Sequence, residues 1–185
     1  MPNWCSNRVT ITSDDVELLR TVKLAAEKCV KEGFFNEFVP RPQSAEDNWY
    51  EWNVSNWGTK WDTGVDIVES GDDFIVLSFD TAWGPPQVFY ENLVEMGYDV
   101  VAYYYEPGMA FAGIFDNGNV DHYSEWGDSE TAAEMLPPEL DEMFYISETM
   151  REFELEQLEE ELDQFEFEDD EEESPPIPPT LTEEN

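Results

Sequence analysis

Fourteen of the twenty-two residues in EFELEQLEEELDQFEFEDDEEE (152–173) are carboxylates, and none is basic. Carboxylates at this density can hold divalent cations loosely, shuttle protons, or stand in for phosphates in front of a basic protein. Abundance makes any single acid–base pair uninformative, so the first two uses carry little specificity. The third depends on shape. As a helix, 152–173 would span roughly 33 Å, about one charge per 2.4 Å, against about one per 1.7 Å in duplex DNA. The candidate partner-binding acids are Glu152, Glu154, Glu156, Glu159, Glu160, Glu161, Asp163 and Glu166, with Phe153, Leu155, Phe165 and Phe167 as apolar contacts that add specificity.

Other chemistry is sparse. His122 is the only histidine, which restricts triads and multi-histidine metal sites; it reads as a solvent-facing strand residue. Asp116-Asn117-Gly118-Asn119 superficially resembles a calcium loop but lacks the twelve-residue ligand spacing, and a hairpin turn explains it better. No glycine-rich phosphate loop, CxxC pair or HExxH occurs, and no cofactor, metal or enzymatic activity is expected. Cys5 and Cys29 read as reduced, partly buried thiols. A second binding reading centres on Trp52, Asn53, Asn56, Trp57 and Lys60, where aromatics with amide groups and a cation could stack a small ligand or nucleotide. The competing reading is an ordered insertion that caps the open face of a sheet.

Composition bears on both. The 185 residues carry a net charge of −37, while 41% are hydrophobic and 15% aromatic, so a core forms. Residues 1–60 hold seven of the eight basic residues and are nearly neutral; beyond residue 60 only Arg151 opposes thirty-six acids. Such a field argues against direct contact with nucleic acid or an anionic membrane and favours a basic partner. No run reaches the roughly 20 apolar residues of a membrane span, and the N-terminus lacks a signal-peptide core, so a cytoplasmic protein is expected.

The elements that must position these residues follow from periodicity. RVTITS (8–13) alternates as a strand, and Ser13-Asp14-Asp15 offers N-cap chemistry for a helix over 16–32 ending at Gly33. FFNEFVPRP (34–42) reads as extended. Strands are expected over 65–70 and 73–83, joined at Gly71-Asp72. Pro85-Pro86 opens a helix that Gly97 ends, and strands follow over 99–108, 109–118 and 119–126, the last two joined by the Asn117-Gly118 turn. The order predicts an α+β fold with a ferredoxin-like (split βαβ) antiparallel sheet and two helices in residues 1–126, with a Trp-rich insertion at 43–64. Residues 127–138 read as a linker with room for a short helix, 139–167 as an acidic amphipathic helix, and 168–185 as a disordered acidic, Pro-rich tail. The helix carries Leu155, Leu158, Leu162 and Phe165 at helical spacing, and upstream Met143, Ile146, Met150 and Phe153 continue the apolar stripe with a small phase shift. That stripe needs cover: the chain's own sheet, a homodimer through 139–165, or a target groove.

MPNWC (1–5), WYEWNVSNWGTKWD (49–62), FDTAWGPP (79–86) and YEPGMAFAG (105–113) together resemble the YubB-type ferredoxin-like family of small proteins carried by conjugative plasmids and bacteriophages. The resemblance covers about the first 126 residues. It implies a ferredoxin-like fold and a mobile-element origin, and no known activity; the acidic C-terminal 60 residues lie outside its pattern. The combined expectation is an acidic DNA mimic that occupies a basic nucleic-acid-binding site on a host defence or DNA-processing protein. The alternative is a nucleotide-binding module on the Trp-rich loop with a solubilising tail.

Overall fold

The computed structural model describes residues 2–29 and 31–171, with side chains as far as Leu162. β1 (Trp4–Thr12) alternates apolar and polar residues, so Cys5, Asn7, Val9 and Ile11 point to one face and Ser6, Arg8 and Thr10 to the other. That alternation places β1 at the centre of a six-stranded antiparallel sheet of order β2-β3-β1-β4-β5-β6. The remaining strands are β2 (Asp66–Ser70), β3 (Phe74–Ala82), β4 (Asp99–Glu106), β5 (Phe111–Asp116) and β6 (Asn119–Ser124). Asn117 (φ 46°) and Gly118 (φ 94°) supply the left-handed pair that the β5–β6 hairpin requires.

Four helices lie over one face. α1 (Val16–Lys28) starts where the Asp15 carboxylate accepts the Glu17 N–H at 2.9 Å, and it buries Leu19, Val22, Ala25 and Ala26. α4 (Gln87–Glu95) buries Phe89, Tyr90 and Leu93. Between them stand α2 (Phe34–Phe38), a short 3-10 turn at Gln43–Ala45, and α3 (Trp49–Trp57). Phe34, Phe35, Trp57, Phe79 and Phe89 meet under this layer as the centre of the main core. A polar pin crosses it: the Tyr90 hydroxyl donates to Asn7 Oδ1 at 2.8 Å, and Asn7 Nδ2 donates to the carbonyls of Cys5 and Phe79 and to Thr81 Oγ1.

A second, smaller core sits on the opposite face over β4 and β5. α5 (Ser129–Met135), α6 (Pro138–Phe144) and the first turns of α7 (Ile146–Glu171) bring Ala132, Leu136, Leu140 and Ile146 against Ala112, Trp126 and the β4 tyrosines Tyr103 and Tyr105. The β1–β3 half of that face stays open. The chain is thus α+β, with seven α-helices and one six-stranded sheet among the described residues.

Several expectations need correction. α1 ends at Lys28 with Cys29 as its C-cap, and Gly33 (φ 100°) starts α2 rather than ending α1. Residues 34–42 are not simply extended: the Asp62 carboxylate accepts the N–H groups of Phe35 and Asn36 at 2.8 and 3.0 Å and so organises α2 from twenty-seven residues away. The Trp-rich stretch is a helix, and it joins the layer over the covered face instead of capping the open one. Gly58 (φ 82°) ends α3 where a Cβ would stand 3.1 Å from the backbone nitrogens of Gln87 and Val88, so α3 and α4 pack backbone against backbone. The region 127–138 holds packed helix α5. The helix expected over 139–167 is two, broken at Tyr145, whose φ of 53° is left-handed. α7 continues through Glu171, past the expected start of the tail; residues from 172 on lie outside the described residues.

Candidate functional site

α7 is fixed at its first two turns. The Asp141 carboxylate accepts the Ser147 N–H at 2.7 Å and the Ser147 hydroxyl at 2.5 Å, which caps α7 just after the Tyr145 reversal. Ile146 is fully buried and Met150 packs beside it. Glu154 makes the last tie, accepting the Ser129 N–H at 2.7 Å and the Ser129 hydroxyl at 2.6 Å at the start of α5. Glu154 is therefore an internal cap rather than a partner-facing acid, which corrects its assignment.

From Leu155 to Leu162 every residue is exposed. Leu155, Leu158 and Leu162, at 54%, 55% and 64% exposure, form a seam at i, i+3 and i+7. At about 100° per residue, this seam lies roughly 150° around the axis from Ile146, Met150 and Phe153. The expected small phase shift is thus a large one that makes two stripes: one docked on the body, one exposed. Phe153, the last residue of the docked side, is itself 61% exposed. Glu152, Glu159 and Glu161 flank the free seam, Glu156 and Glu160 lie farther round the helix, and among the described residues none of the five forms an ion pair. Asp163, Phe165, Glu166 and Phe167 fall within α7, but their side chains lie outside the described set. Of the 139–165 segment expected to offer a homodimer contact, Leu140 and Ile146 are buried in the chain's own second core, and Leu155–Leu162 stays exposed.

The Trp-rich candidate resolves differently. Trp57 is 2% exposed and donates Nε1–H to the Val39 carbonyl at 3.0 Å. Asn53 is buried, accepts from Arg41 Nη1 at 3.1 Å and donates to the Lys60 carbonyl at 2.8 Å. Trp52 stands edge-on to Trp57 at 5.4 Å; Asn56 donates to the Trp52 carbonyl and accepts from Asn92 through its own carbonyl. Asn56 thus ties α3 to α4, while Trp57 and Asn53 tie it to Val39, Arg41 and Lys60. Trp57 and Asn53 are buried; Trp52 and Asn56 are half-buried.

Lys60 points elsewhere, and here the structure gathers residues that the sequence reading did not join. The Lys60 ammonium lies 4.5 Å from the Trp61 ring, 5.0 Å from Trp83 and 5.8 Å from Tyr50. Trp83 stacks on Trp61 at 6.2 Å, and Trp61 meets Trp4 at 6.1 Å, giving a ladder of three half-exposed indoles. The β1–β3 register, Trp4 opposite Ala82, brings the outer rungs together. Trp83 adopts φ 66°, an uncommon conformation for a bulky residue, with its N–H held by the Asn3 carbonyl at 2.8 Å. Trp4 also forms one wall of a groove of about 680 Å³ on the open half of the sheet, lined further by Ser6, Asp66, Asp80, Tyr105 and Phe144.

His122 is exposed, as expected of a strand histidine, yet its Nδ1 lies 3.4 Å from the Tyr104 hydroxyl. Burial pushes the Tyr104 phenol up to about 12, so it stays protonated beside the imidazole. Gly113 makes room for this phenol: a Cβ there would stand 2.3 Å from Tyr104 Oη. Cys5 and Cys29 are both buried and unpaired, and burial raises both thiols away from the reactive thiolate. Among the described residues, no group of three or more His, Cys, Asp or Glu is arranged to hold a metal, and no helix is long and apolar enough to cross a membrane.

No family model matches the chain, and no curated protein matches it. Among solved structures, the chain is similar to the protein api92 from Yersinia pseudotuberculosis, described under the family DUF1281. The likeness has a TM-score of 0.46 at 12% identity, and covers 68% of this chain and 99% of that one.

Proposed function

We propose that this chain is an interaction protein that presents the free part of α7 as a DNA-like surface to a basic, nucleic-acid-binding site on another protein. The observation that carries this reading is the Leu155–Leu158–Leu162 seam. It is exposed, flanked by unpaired carboxylates, and stands on a helix whose last hydrogen bond to its own body, among the described residues, is made by Glu154. A helix that is polar almost all round with one thin apolar seam gains little by standing free; a groove with a basic rim supplies both missing complements. A second copy of the chain does not, since it would oppose carboxylates to carboxylates.

The body we read as ferredoxin-like, a split βαβ sheet extended by the β5–β6 hairpin. The β1-α1-β2-β3-α4-β4 succession supports this, with β1 between β3 and β4. In the setting implied by the YubB-type resemblance, the protein originates on a phage or plasmid. It acts in the host cytoplasm on a defence or DNA-processing protein. The mechanism is competitive and non-enzymatic: carboxylates take the positions of phosphates, and the leucine seam supplies the selectivity that charge lacks.

The test is capture of host proteins on the immobilised chain at low salt, elution at high salt, and competition by a DNA duplex for each purified captive. Basic DNA-binding proteins that release the chain when duplex is added are expected. Captives that bind duplex and chain simultaneously contradict the reading.

A further inference from the structure

We propose that the groove on the open half of the sheet binds an arginine-bearing peptide segment, with the guanidinium stacked on Trp4 and paired with Asp80 and Asp66. The choice of an arginyl peptide rests on the reading that the partner is a basic protein; the groove itself is separate from α7.

The groove's volume, about 680 Å³, lies in the range that holds a side chain or small peptide. Its lining includes the aromatic rings of Trp4, Tyr105 and Phe144, the last two 6.0 Å apart. Its floor carries two carboxylates. Ser6 donates its hydroxyl to Asp80 Oδ1 at 2.8 Å, which fixes that carboxylate and leaves its other oxygen open. Asp66 is exposed and makes no side-chain hydrogen bond or ion pair among the described residues. Asp80 stands opposite Ser6, and Asp66 opposite Ser78, so both lie on the face that presents Trp4. Lys31 stands at the rim, and Arg8 lies on the same face one register step away without lining the groove.

Three features select the ligand. A guanidinium is planar and weakly hydrated, stacks on an indole, and pairs with a carboxylate through two parallel N–H bonds. The adjoining indoles already host a cation, Lys60, at 4.5 and 5.0 Å. The chain's net charge of −37 draws cations into its concavities and repels anionic ligands.

The probe is acetyl-Gly-Arg-Gly-Arg-Gly-amide, titrated at physiological salt into the full chain while the tryptophan indole N–H signals are followed by NMR. Saturable shifts at Trp4 and Trp61 are expected, with none from the same peptide carrying glutamine for arginine. Binding should weaken at least tenfold in Asp80→Asn and in Trp4→Ala, two exposed positions whose unfolding temperatures check the fold. Equal shifts from the glutamine peptide or from a neutral oligosaccharide would overturn the proposal. So would unchanged binding in Asp80→Asn, or loss of the indole shifts when Glu156, Glu159, Glu160 and Glu161 are changed to Gln. Loss of partner binding in that last variant, with the indole shifts intact, separates the α7 reading from this one.

Discussion

The Trp-rich helix α3 and the acidic helix α7 are both candidate sites by composition, and the fold treats them in opposite ways. α3 turns its functional-looking groups inward: Trp57 and Asn53 are each 2% exposed and fully hydrogen-bonded. α7 docks two turns and then leaves everything from Leu155 to Leu162 in solvent. Aromatic and amide groups can satisfy one another inside a core, so their abundance is a weak sign of a binding site. A dozen like charges cannot be buried together, so a helix that carries them with an apolar seam remains in search of a partner.

Substitutions sharpen this contrast. Trp57→Ala, which empties the centre of the aromatic core, should cost about 3–5 kcal/mol, while Leu158→Ala should stay within about 0.5 kcal/mol; denaturant unfolding compares them. Equal costs would mean that α7 is held against the body. Asn53→Ala leaves Arg41 and the Lys60 carbonyl without their partner and should cost about 1–3 kcal/mol. Glu154→Ala removes two bonds to Ser129 and should cost about 1 kcal/mol, read as faster amide exchange in α5; Glu156→Ala, one turn-face away, should change nothing.

The smallest effects are in the pH dependence, and the two carboxylate caps differ in sign. Burial raises Asp62 against the pull of its backbone N–H partners. With the folded value above the unfolded one, its contribution is greatest at low pH and is lost as pH rises through the raised value. The Thr131 N–H and hydroxyl hold Asp128 below the usual aspartate range. Its contribution is present above about pH 4 and is lost as pH falls through the depressed value. Comparing stability against pH for Asp62→Asn and Asp128→Asn should show the acid slope changing in opposite directions.

Sequence alone revealed those parts whose causes are local. The strands alternate, Asp15 caps its own helix, and Asn117-Gly118 makes its own turn. What stayed hidden depends on distant residues. α2 is organised by Asp62, and α3 is rich in aromatic, Asn and Ser residues of middling helical preference until Phe35 packs against its Trp57. The break at Tyr145 has no glycine to announce it; its support is the Asp141 cap on Ser147. The acids and the leucine seam were legible, but not that the docked and free stripes face apart. The indole ladder draws on positions 4, 61 and 83, which only the β1–β3 register unites.

The central claim is that α7 binds in place of DNA. Its most direct test is the affinity of a captured basic partner for the chain and for a variant carrying Glu156→Lys, Glu159→Lys, Glu160→Lys and Glu161→Lys, measured across a salt series. The account predicts that the variant keeps its unfolding temperature and binds at least 100-fold more weakly, with the difference shrinking as salt rises. Unchanged affinity in the variant, at any salt concentration, would contradict it.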